Sequence, residues 1–240
     1  MPTLFEYTPA LLDRFPNLTS GLTLATGINN RHYPPALAEL YTAEQAAARE
    51  KVGTRSLAEF PSISAWRSAF RKFGVEPTQH RNAAEALLRR LQKTGDLPQL
   101  NPLVDIGNLI SIKHALPLAL FDTATAPPPY LAHPAVGDEL FLPRDEPNPQ
   151  LEHPQPGEII FTDSAGHALI RRWCWRQGQA GIITPSTTSV IITLEAQHPH
   201  ARADLERALA DLTDLLIRFT SATCHTALLN AANPRFDSPD

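Results

Sequence analysis

The stretch Leu103–Asp122 reads LVDIGNLISIKHALPLALFD and is the most informative part of the chain for the fold. It begins inside an apolar run, Pro102–Leu116, which could form a helix or a strand by periodicity alone. Pro117 ends that run in either case, because proline does not continue a helix or donate to a central strand ladder. Asp105 and Asn108 lie three positions apart, so on a helix they would share one face and could hold backbone or ligand groups. Capping or turn formation explains these two residues nearly as well.

Upstream of this stretch the sequence predicts one strand and three helices. Leu18–Ile28 separates its leucines with Thr, Ser and Gly, which is typical of a half-buried strand. Ala36–Val52 is rich in Ala, Leu and Glu and is followed by glycine, which favours a helix. Ser62 is a candidate N-cap for a second helix. Asn82 is the candidate N-cap of a third helix, which is expected to stop at Gly95.

Downstream, Thr123–Pro156 is dense in prolines, so we expect loops there with one short strand near Glu139–Leu142. Three β-rich runs follow and indicate a small antiparallel sheet: Glu158–Thr162, Ala168–Trp175 and Val190–Glu195. Ala203–Ser221 has leucines on one face and charged residues on the other, which predicts an amphipathic helix packed on the sheet. The fold class that follows is α+β, with a central, mainly antiparallel sheet flanked by helices.

Composition supports one globular domain. Of the 240 residues 42% are hydrophobic and 19% are charged, which is enough apolar material for a core and too little charge for disorder. We expect a single domain over residues 1–229. Residues 230–240 contain two prolines and little apolar material, and we expect them to be a mobile tail.

The net charge of −4 argues against binding nucleic acid through the overall field, so any RNA contact needs a local basic patch. Cys174 and Cys224 belong to no CxxC pair or secretory framework, which favours a reduced, cytoplasmic setting. The sequence shows no export signal and no apolar stretch long enough to span a membrane.

The densest polar and aromatic segment is RRWCWRQ, residues 171–177, on a predicted strand. Alternation along a strand would place Arg172, Cys174 and Arg176 on one face. The opposite face would carry two indoles flanked by donors: Arg171, Trp173, Trp175 and Gln177. Indoles can stack on a base or aromatic ligand, and guanidinium groups bind phosphate. Burial of both tryptophans in the core, with arginines covering the rim, is an equally good interpretation.

Other chemical signatures are absent from the sequence. There is no GxSxG elbow, GxxxxGK[ST] loop, GxGxxG turn or HExxH pair. The histidines lack metal-ligand spacing, so no metal or cofactor is expected. Arg81, Arg89 and Arg90 form a second basic cluster around the third predicted helix, for which a solvated helix face is the simpler explanation.

The segment 103–122 resembles the VDxTN…GxPxHAFD stretch of the B-three/B-four editing domain in the β subunit of phenylalanyl-tRNA synthetase. WRSAFRKFGVEP, AEALLRR, GEIIFTD and RRWCWRQ further resemble proteins built from that domain alone, and together the resemblance covers roughly residues 60–195. It implies a synthetase-editing-domain-like α+β fold. It also implies a trans-editing deacylase that acts on the aminoacylated acceptor end of tRNA without metal.

The resemblance assigns roles to several positions. Asn108 matches the asparagine of the family's pocket, whereas Gly107 replaces the preceding Thr and Ala119 replaces the His of HAFD. We expect backbone amides near Gly107 and the Asn108 side chain to orient water and carbonyl, assisted by a hydroxyl of the terminal ribose. The expected aminoacyl pocket also includes Trp173, Trp175, Gln177, His114 and Ala119. The expected tRNA contacts are Arg171, Arg172, Arg176, Arg81, Arg89 and Arg90.

Two departures limit what the resemblance implies. The histidine of the family is missing at Ala119, and the synthetase segment with the glutamate that contacts the tyrosine hydroxyl is not recognisable. A changed amino-acid specificity is therefore expected. A non-catalytic RNA-binding module of the same fold and a small-molecule-binding protein are the alternative functions.

Overall fold

The computed structural model describes residues 1–144 and 147–239. Within them six α-helices and ten strands form in mixed order, so the α+β fold class is confirmed. The helices are α1 Pro9–Arg14, α2 Pro35–Val52, α3 Pro61–Lys72, α4 Ala83–Thr94, α5 Pro102–His114 and α6 Ala201–Thr220. The strands are β1 Thr3–Tyr7, β2 Thr19–Thr26, β3 Leu118–Asp122, β4 Tyr130–Pro134, β5 Ile159–Thr162, β6 Ala168–Arg171, β7 Arg176–Gln177, β8 Ser189–Ala196, β9 Thr223–Leu229 and β10 Arg235–Asp237.

The strands of the described residues form two sheets. One has the order β3-β8-β2-β9 and is antiparallel throughout. The other has the order β10-β1-β4-β5-β6-β7, in which only β1 and β4 are parallel. The predicted small sheet of three β-rich runs is therefore wrong in one respect, because the third run, β8, lies in the four-stranded sheet.

The four-stranded sheet is buried on both faces. Val190, Ile192 and Leu194 of β8 pack into a core shared with α2, α4, α5 and α6. Ile191, on the opposite face, packs into a second core that includes α1, α3 and the six-stranded sheet. Since β8 is covered on both sides, it is apolar along nearly its whole length.

Local capping explains where the helices begin and end. The Asn82 side chain accepts a hydrogen bond from Glu85 N–H at 3.0 Å, and Gly95 ends α4 in a left-handed conformation, as predicted. The second predicted helix, α3, begins differently. Its N-cap position is Phe60, with proline next, so Ser62 lies inside the helix instead of capping it.

The ambiguous run 102–116 forms the helix α5. Asn101 caps it by accepting from Val104 N–H at 3.1 Å, and proline occupies the first turn. Asn30 adds a further cap, because its side-chain oxygen accepts from Leu103 N–H at 3.0 Å. These contacts and burial between α2, α4 and α6 decide a choice that periodicity left open.

Two predictions for the loop-rich regions need correction. The expected strand at Glu139–Leu142 is reduced to isolated bridges at Leu140 and Phe141. The expected mobile tail contains β10, which pairs with β1 and buries Phe236. Across the described ranges, no helix is long and apolar enough to cross a membrane.

Candidate active site

A cavity of about 260 Å³ lies where the two sheets and α5 meet. α5 contributes Asn108 to one wall and β3 contributes Leu118, Ala119 and Leu120. The opposite wall comes from the segment 174–177, and Glu195 of β8 lines the cavity between the two sheets. Asn108, Leu118 and Leu120 also line an adjoining cavity, so they lie between the two spaces.

Asn108 is held by a well-anchored helix. It lies half-buried on α5, whose first turn is fixed by the caps from Asn101 and Asn30. Asp105, one turn before it, is fully buried and accepts hydrogen bonds from Tyr33 at 2.8 Å and from Leu100 N–H at 3.0 Å. Of the two positions expected to share a face, Asp105 therefore holds the local structure, and Asn108 lines the cavity.

Gly107 does not take the role expected for it. It lies in the interior of α5, where a backbone N–H donates to the carbonyl four residues earlier. A Cβ at this position would approach the side chains of Leu118 and Leu120 to 3.0 Å. Glycine is thus required for close packing of α5 on β3, and its amide is not free to orient water or a carbonyl.

Glu195 is the main residue of the cavity that sequence reasoning missed. Its side chain is buried, and Oε1 accepts hydrogen bonds from the Tyr7 hydroxyl at 2.7 Å and from the Trp173 indole at 2.9 Å. Burial raises the pKa of Glu195 to about 7, against the two hydrogen bonds, which favour the charged form. A carboxyl group that changes its charge near neutral pH thus lines the cavity.

One signal in the sequence could have indicated Glu195. It is the single charged residue in an otherwise apolar or hydroxyl-bearing strand, SVIITLEA, whose residues after Ser189 are all buried. A charge in such a strand must be paired, hydrogen-bonded or functional. Its partner Tyr7 is 188 positions away in the chain, so the sequence alone could not supply the hydrogen bonds.

Trp173 belongs to the core and not to the cavity. It is fully buried and contacts Phe15 and Trp66 edge to face, with ring centroids 4.7 and 5.0 Å away. Its indole N–H holds Glu195, so it supports the site indirectly. The expectation that Trp173 binds the aminoacyl group is therefore wrong.

The predicted strand alternation fails in the segment 171–177 because the strand stops at Arg171. Arg172 and Trp173 have left-handed backbone conformations, with φ of 48° and 64°. Such values are costly for residues with a Cβ and produce a tight turn instead of a strand. The turn sends Trp173 into the core and leaves Trp175 half-buried at the cavity, where Gln177 also lies, as expected.

The three arginines of this segment differ sharply. Arg171 is buried and forms a bidentate pair with Glu158, both distances being 2.8 Å, plus a bond to Glu152. It is a structural ion pair and does not face solvent, contrary to expectation. Arg176 lines the cavity and contacts Glu152 at 3.3 Å.

Arg172 does not line the cavity but packs on Trp175, which does, and we call this side of the cavity the rim. Its guanidinium lies 4.4 Å from the centre of the Trp175 ring and contacts His80 Nδ1 at 3.4 Å. The His80 ring in turn lies 4.6 Å from the Trp175 ring, edge on. In the described parts of the chain Arg172 forms no ion pair with a carboxylate, so its positive charge is less compensated than that of its neighbours.

The remaining expected residues do not form one group. His114 does not line the cavity; it contacts Asp211 of α6 at 2.8 Å, which corrects its expected role. Ala119 does line the cavity. Arg89 and Arg90 are exposed on α4, and Arg81 is half-buried just before it. In residues 1–144 and 147–239 no three His, Cys, Asp or Glu side chains are grouped as metal ligands would be.

Together these features define an α+β protein with a small cavity between its two sheets, lined by both apolar and polar residues, and a cationic, aromatic rim. The sequence model described as the B3/4 domain matches residues 65–234, which is more than half of the 240 residues. The chain therefore belongs to the B3/4 domain family, as the resemblance in the sequence predicted.

A solved structure similar to this chain is an N-terminal fragment of the phenylalanyl-tRNA synthetase β-subunit from Pyrococcus horikoshii. The two share 14% sequence identity with a TM-score of 0.47, over 92% of this chain and 50% of that one. This chain thus spans about half the length of that structure. The comparison with curated proteins gave no match.

Proposed function

We propose that this protein is a trans-editing deacylase that hydrolyses the ester bond of mischarged aminoacyl-tRNA without a metal ion. The observation that carries the proposal is one cavity lined by both Asn108 and Glu195, with Arg172 at its rim. Membership in the B3/4 domain family and the matching asparagine of segment 103–122 support it. The activity sets the protein in the cytoplasm, where tRNA is charged.

The size of the cavity fits an aminoacyl group. Its volume, about 260 Å³, lies just below the range of roughly 300–1,000 Å³ found for small-molecule sites. An amino-acid side chain fits this space, whereas the terminal nucleotide must remain outside. The ester between them would then lie near the mouth, where Asn108 and β3 are found.

Glu195 selects the side chain that enters. A buried carboxyl group needs hydrogen-bonding partners, and a substrate that leaves it unmatched loses binding energy. A site built around such a group discriminates strongly against isosteres that lack the polar atom. We therefore infer that the preferred aminoacyl group carries a hydrogen-bonding group at its end.

Catalysis of ester hydrolysis requires a positioned water and stabilisation of the developing oxyanion. The Asn108 amide supplies both a donor and an acceptor at the α5 wall. A hydroxyl group of the terminal ribose assists by taking part in proton transfer. A side-chain nucleophile is not needed for this chemistry.

The rim holds the acceptor end of the tRNA. Arg172, with its guanidinium stacked on Trp175, is the main phosphate contact, and Arg176 lies beside it in the cavity wall. Arg89 and Arg90 are exposed on α4 and extend the basic surface. Arg171 is excluded from this role because two glutamates hold it.

One observation favours a second function. Ala119 lines the cavity at the position where the resemblance expects a histidine, so the site lacks that polar group. A non-catalytic RNA-binding module would keep the cationic rim and not hydrolyse the ester. A protein that binds a small molecule in the cavity would need neither the rim nor the RNA.

Incubation with a panel of tRNAs, each charged with a non-cognate amino acid, separates these functions. We expect release of amino acid from at least one panel member, at the same rate with and without EDTA. Binding of tRNA with every ester intact would support the RNA-binding module. Activity that EDTA abolishes would contradict the metal-free mechanism.

A further inference from the structure

The outer edge of β3 presents backbone groups to the cavity. In the order β3-β8-β2-β9, β3 pairs among the strands of residues 1–144 and 147–239 with β8 on one side, so its other side is an edge there. Leu118, Ala119 and Leu120 of this strand all line the cavity. The direction of each backbone N–H along β3 therefore decides what the cavity can bind.

Four contacts fix these directions. On the β8 side, Thr123 N–H donates to Ser189 C=O at 3.2 Å and Glu195 N–H donates to Pro117 C=O at 3.3 Å. Because N–H and C=O of one residue point to the same side of an antiparallel strand, the odd-numbered residues 117–123 face β8.

The even-numbered residues face away from β8. The Gln177 side-chain amide donates to Leu120 C=O at 2.8 Å, and Asp122 N–H donates to Gly181 C=O at 3.0 Å. Both contacts come from outside the four-stranded sheet. Alternation then directs the N–H groups of Leu118 and Leu120 to the outer edge as well.

Leu120 is also next to the α5 wall. The leucine side chains at 118 and 120 pack where a Cβ on Gly107 would stand, and Asn108 follows directly in the chain. The contact from Gln177 holds the carbonyl of Leu120, which is in the peptide group after the one that carries the Leu120 N–H, and so helps to fix the backbone at this residue; this gives Gln177 a positioning role. A backbone donor of β3 and the Asn108 side chain thus belong to residues that line the same cavity.

We propose that the backbone N–H of Leu120 binds the carbonyl oxygen of the scissile ester and stabilises the oxyanion that forms there. This inference rests on the proposed deacylase function. It assigns the role expected for the Gly107 amide, which is hydrogen-bonded within the helix, to a donor that is not used in pairing β3 with β8. Two outward N–H groups on one strand lie about 7 Å apart, so a single oxyanion reaches only one of them.

The step balances as an ordinary ester hydrolysis. The oxygen of water bonds to the carbonyl carbon, and the π electron pair moves to the carbonyl oxygen, where Leu120 N–H and the Asn108 amide donate to it. That electron pair then re-forms the C=O bond as the bond between the carbonyl carbon and the ribose oxygen breaks. One proton of the water ends on that ribose oxygen, and the other is released as the amino-acid carboxylate forms.

A proline in place of Leu120 tests the donor directly. Proline removes the N–H and is tolerated on edge strands where that group faces outward. We expect Leu120→Pro to lower the single-turnover deacylation rate by roughly 10²–10³-fold, the loss typical for one oxyanion donor. Leu120→Ala also removes side-chain packing but keeps the N–H, so we expect its rate to fall clearly less than that of Leu120→Pro, which separates loss of the donor from loss of the side chain.

Leu118→Pro is the matched control, since it removes the other outward N–H. A larger loss for Leu118→Pro than for Leu120→Pro, or equal rates for the proline and alanine variants at position 120, would overturn the assignment.

If Leu120→Pro does not fold, as judged by its circular dichroism melt, replacement of the Leu120 amide by an ester linkage removes the same N–H. An unchanged rate in that protein overturns the proposal. A wild-type protein that hydrolyses no panel member overturns the proposed function together with this inference, whereas active wild type with active variants overturns this inference alone.

Discussion

The two walls of the cavity use their polar groups in different ways. On the α5 and β3 wall, the side chains are mostly apolar, and the polar groups are the Asn108 amide and the outward backbone of β3. On the wall formed by residues 174–177, Trp175, Arg176 and Gln177 are aromatic or polar, and Arg176 contacts Glu152; just before this wall, Arg171 is neutralised by Glu158 and Glu152. The few polar groups of the first wall are thus available to bind a substrate. On the wall rich in charge, much of the charge is instead used in ion pairs that hold the local structure.

This difference shows why residue type alone is a poor guide to a site. Arg171 and Arg172 are adjacent and identical, but one is a buried ion pair and the other stacks on Trp175 at the rim. Trp173 and Trp175 differ in the same way. The turn with left-handed Arg172 and Trp173 produces both distinctions, because it points successive side chains in unrelated directions.

The largest effect that separates the two tryptophans is on stability. Trp173→Ala removes a fully buried ring and one hydrogen bond to Glu195, so we expect the free energy of unfolding to fall by about 3–5 kcal/mol. Trp175→Ala should cost much less and should instead change which aminoacyl group is hydrolysed. Urea unfolding of both variants measures the difference. Similar losses of stability would show that the two rings are equally buried, and would contradict the assignment of Trp173 to the core and Trp175 to the cavity.

The next effect concerns the pH dependence of stability. Because the pKa of Glu195 rises to about 7 from an ordinary value near 4.5, the folded protein binds more protons than the unfolded chain between these values. The free energy of unfolding should therefore fall as pH rises through this range, by at most about 3 kcal/mol from this residue. Glu195→Gln keeps the shape and removes the titration.

Unfolding of wild type and Glu195→Gln at pH 5 and pH 8 checks this expectation. Other groups titrate in both proteins, so the difference between the two pH dependences isolates Glu195. We expect the variant to lose less stability than the wild type between the two pH values. Parallel pH dependences would show that the pKa of Glu195 is not raised in the folded protein.

The smallest effect tests the arginine at the rim. Arg172→Ala should weaken binding of uncharged tRNA and reduce the slope of log K against log salt by about one unit, the contribution of one phosphate contact. Arg202→Ala is the control, since Arg202 is exposed on α6 and pairs with Glu206 at 3.0 Å. Filter binding at several salt concentrations gives both slopes. Equal slopes for the two variants would remove Arg172 from the phosphate contacts.

The sequence predicts those parts of the fold that depend on neighbours in the chain. α4 is correct at both ends because Asn82 and Gly95 act locally. That residues 102–114 form a helix depends also on Asn30, whose contact with Leu103 spans 73 positions. Periodicity within the segment therefore could not distinguish helix from strand. The sequences of the short strands β4 and β10 have little strand-forming pattern of their own. These strands form because they pair with neighbouring strands.

For the candidate site, the sequence locates the segments better than the individual roles. Asn108 and Gln177 line the cavity, and both lie in segments that the resemblance had indicated. The roles of Glu195 and of the β3 backbone were not predicted from the sequence. The role of Glu195 depends on its burial between two sheets, and that of the β3 backbone depends on which strand forms the edge of its sheet. The turn at 172–175 was not predicted either, because left-handed Arg and Trp are disfavoured locally and only core packing of Trp173 imposes them.

The most direct test of the account is the single-turnover deacylation rate of wild type and Asn108→Ala on the misacylated tRNA that the panel identifies, with tRNA affinity measured in parallel. The account predicts a rate at least about 100-fold lower in the variant, with the dissociation constant within about twofold, because Asn108 acts on the transition state and not on the tRNA. Equal losses in rate and affinity, or an unchanged rate in a folded variant, would contradict it.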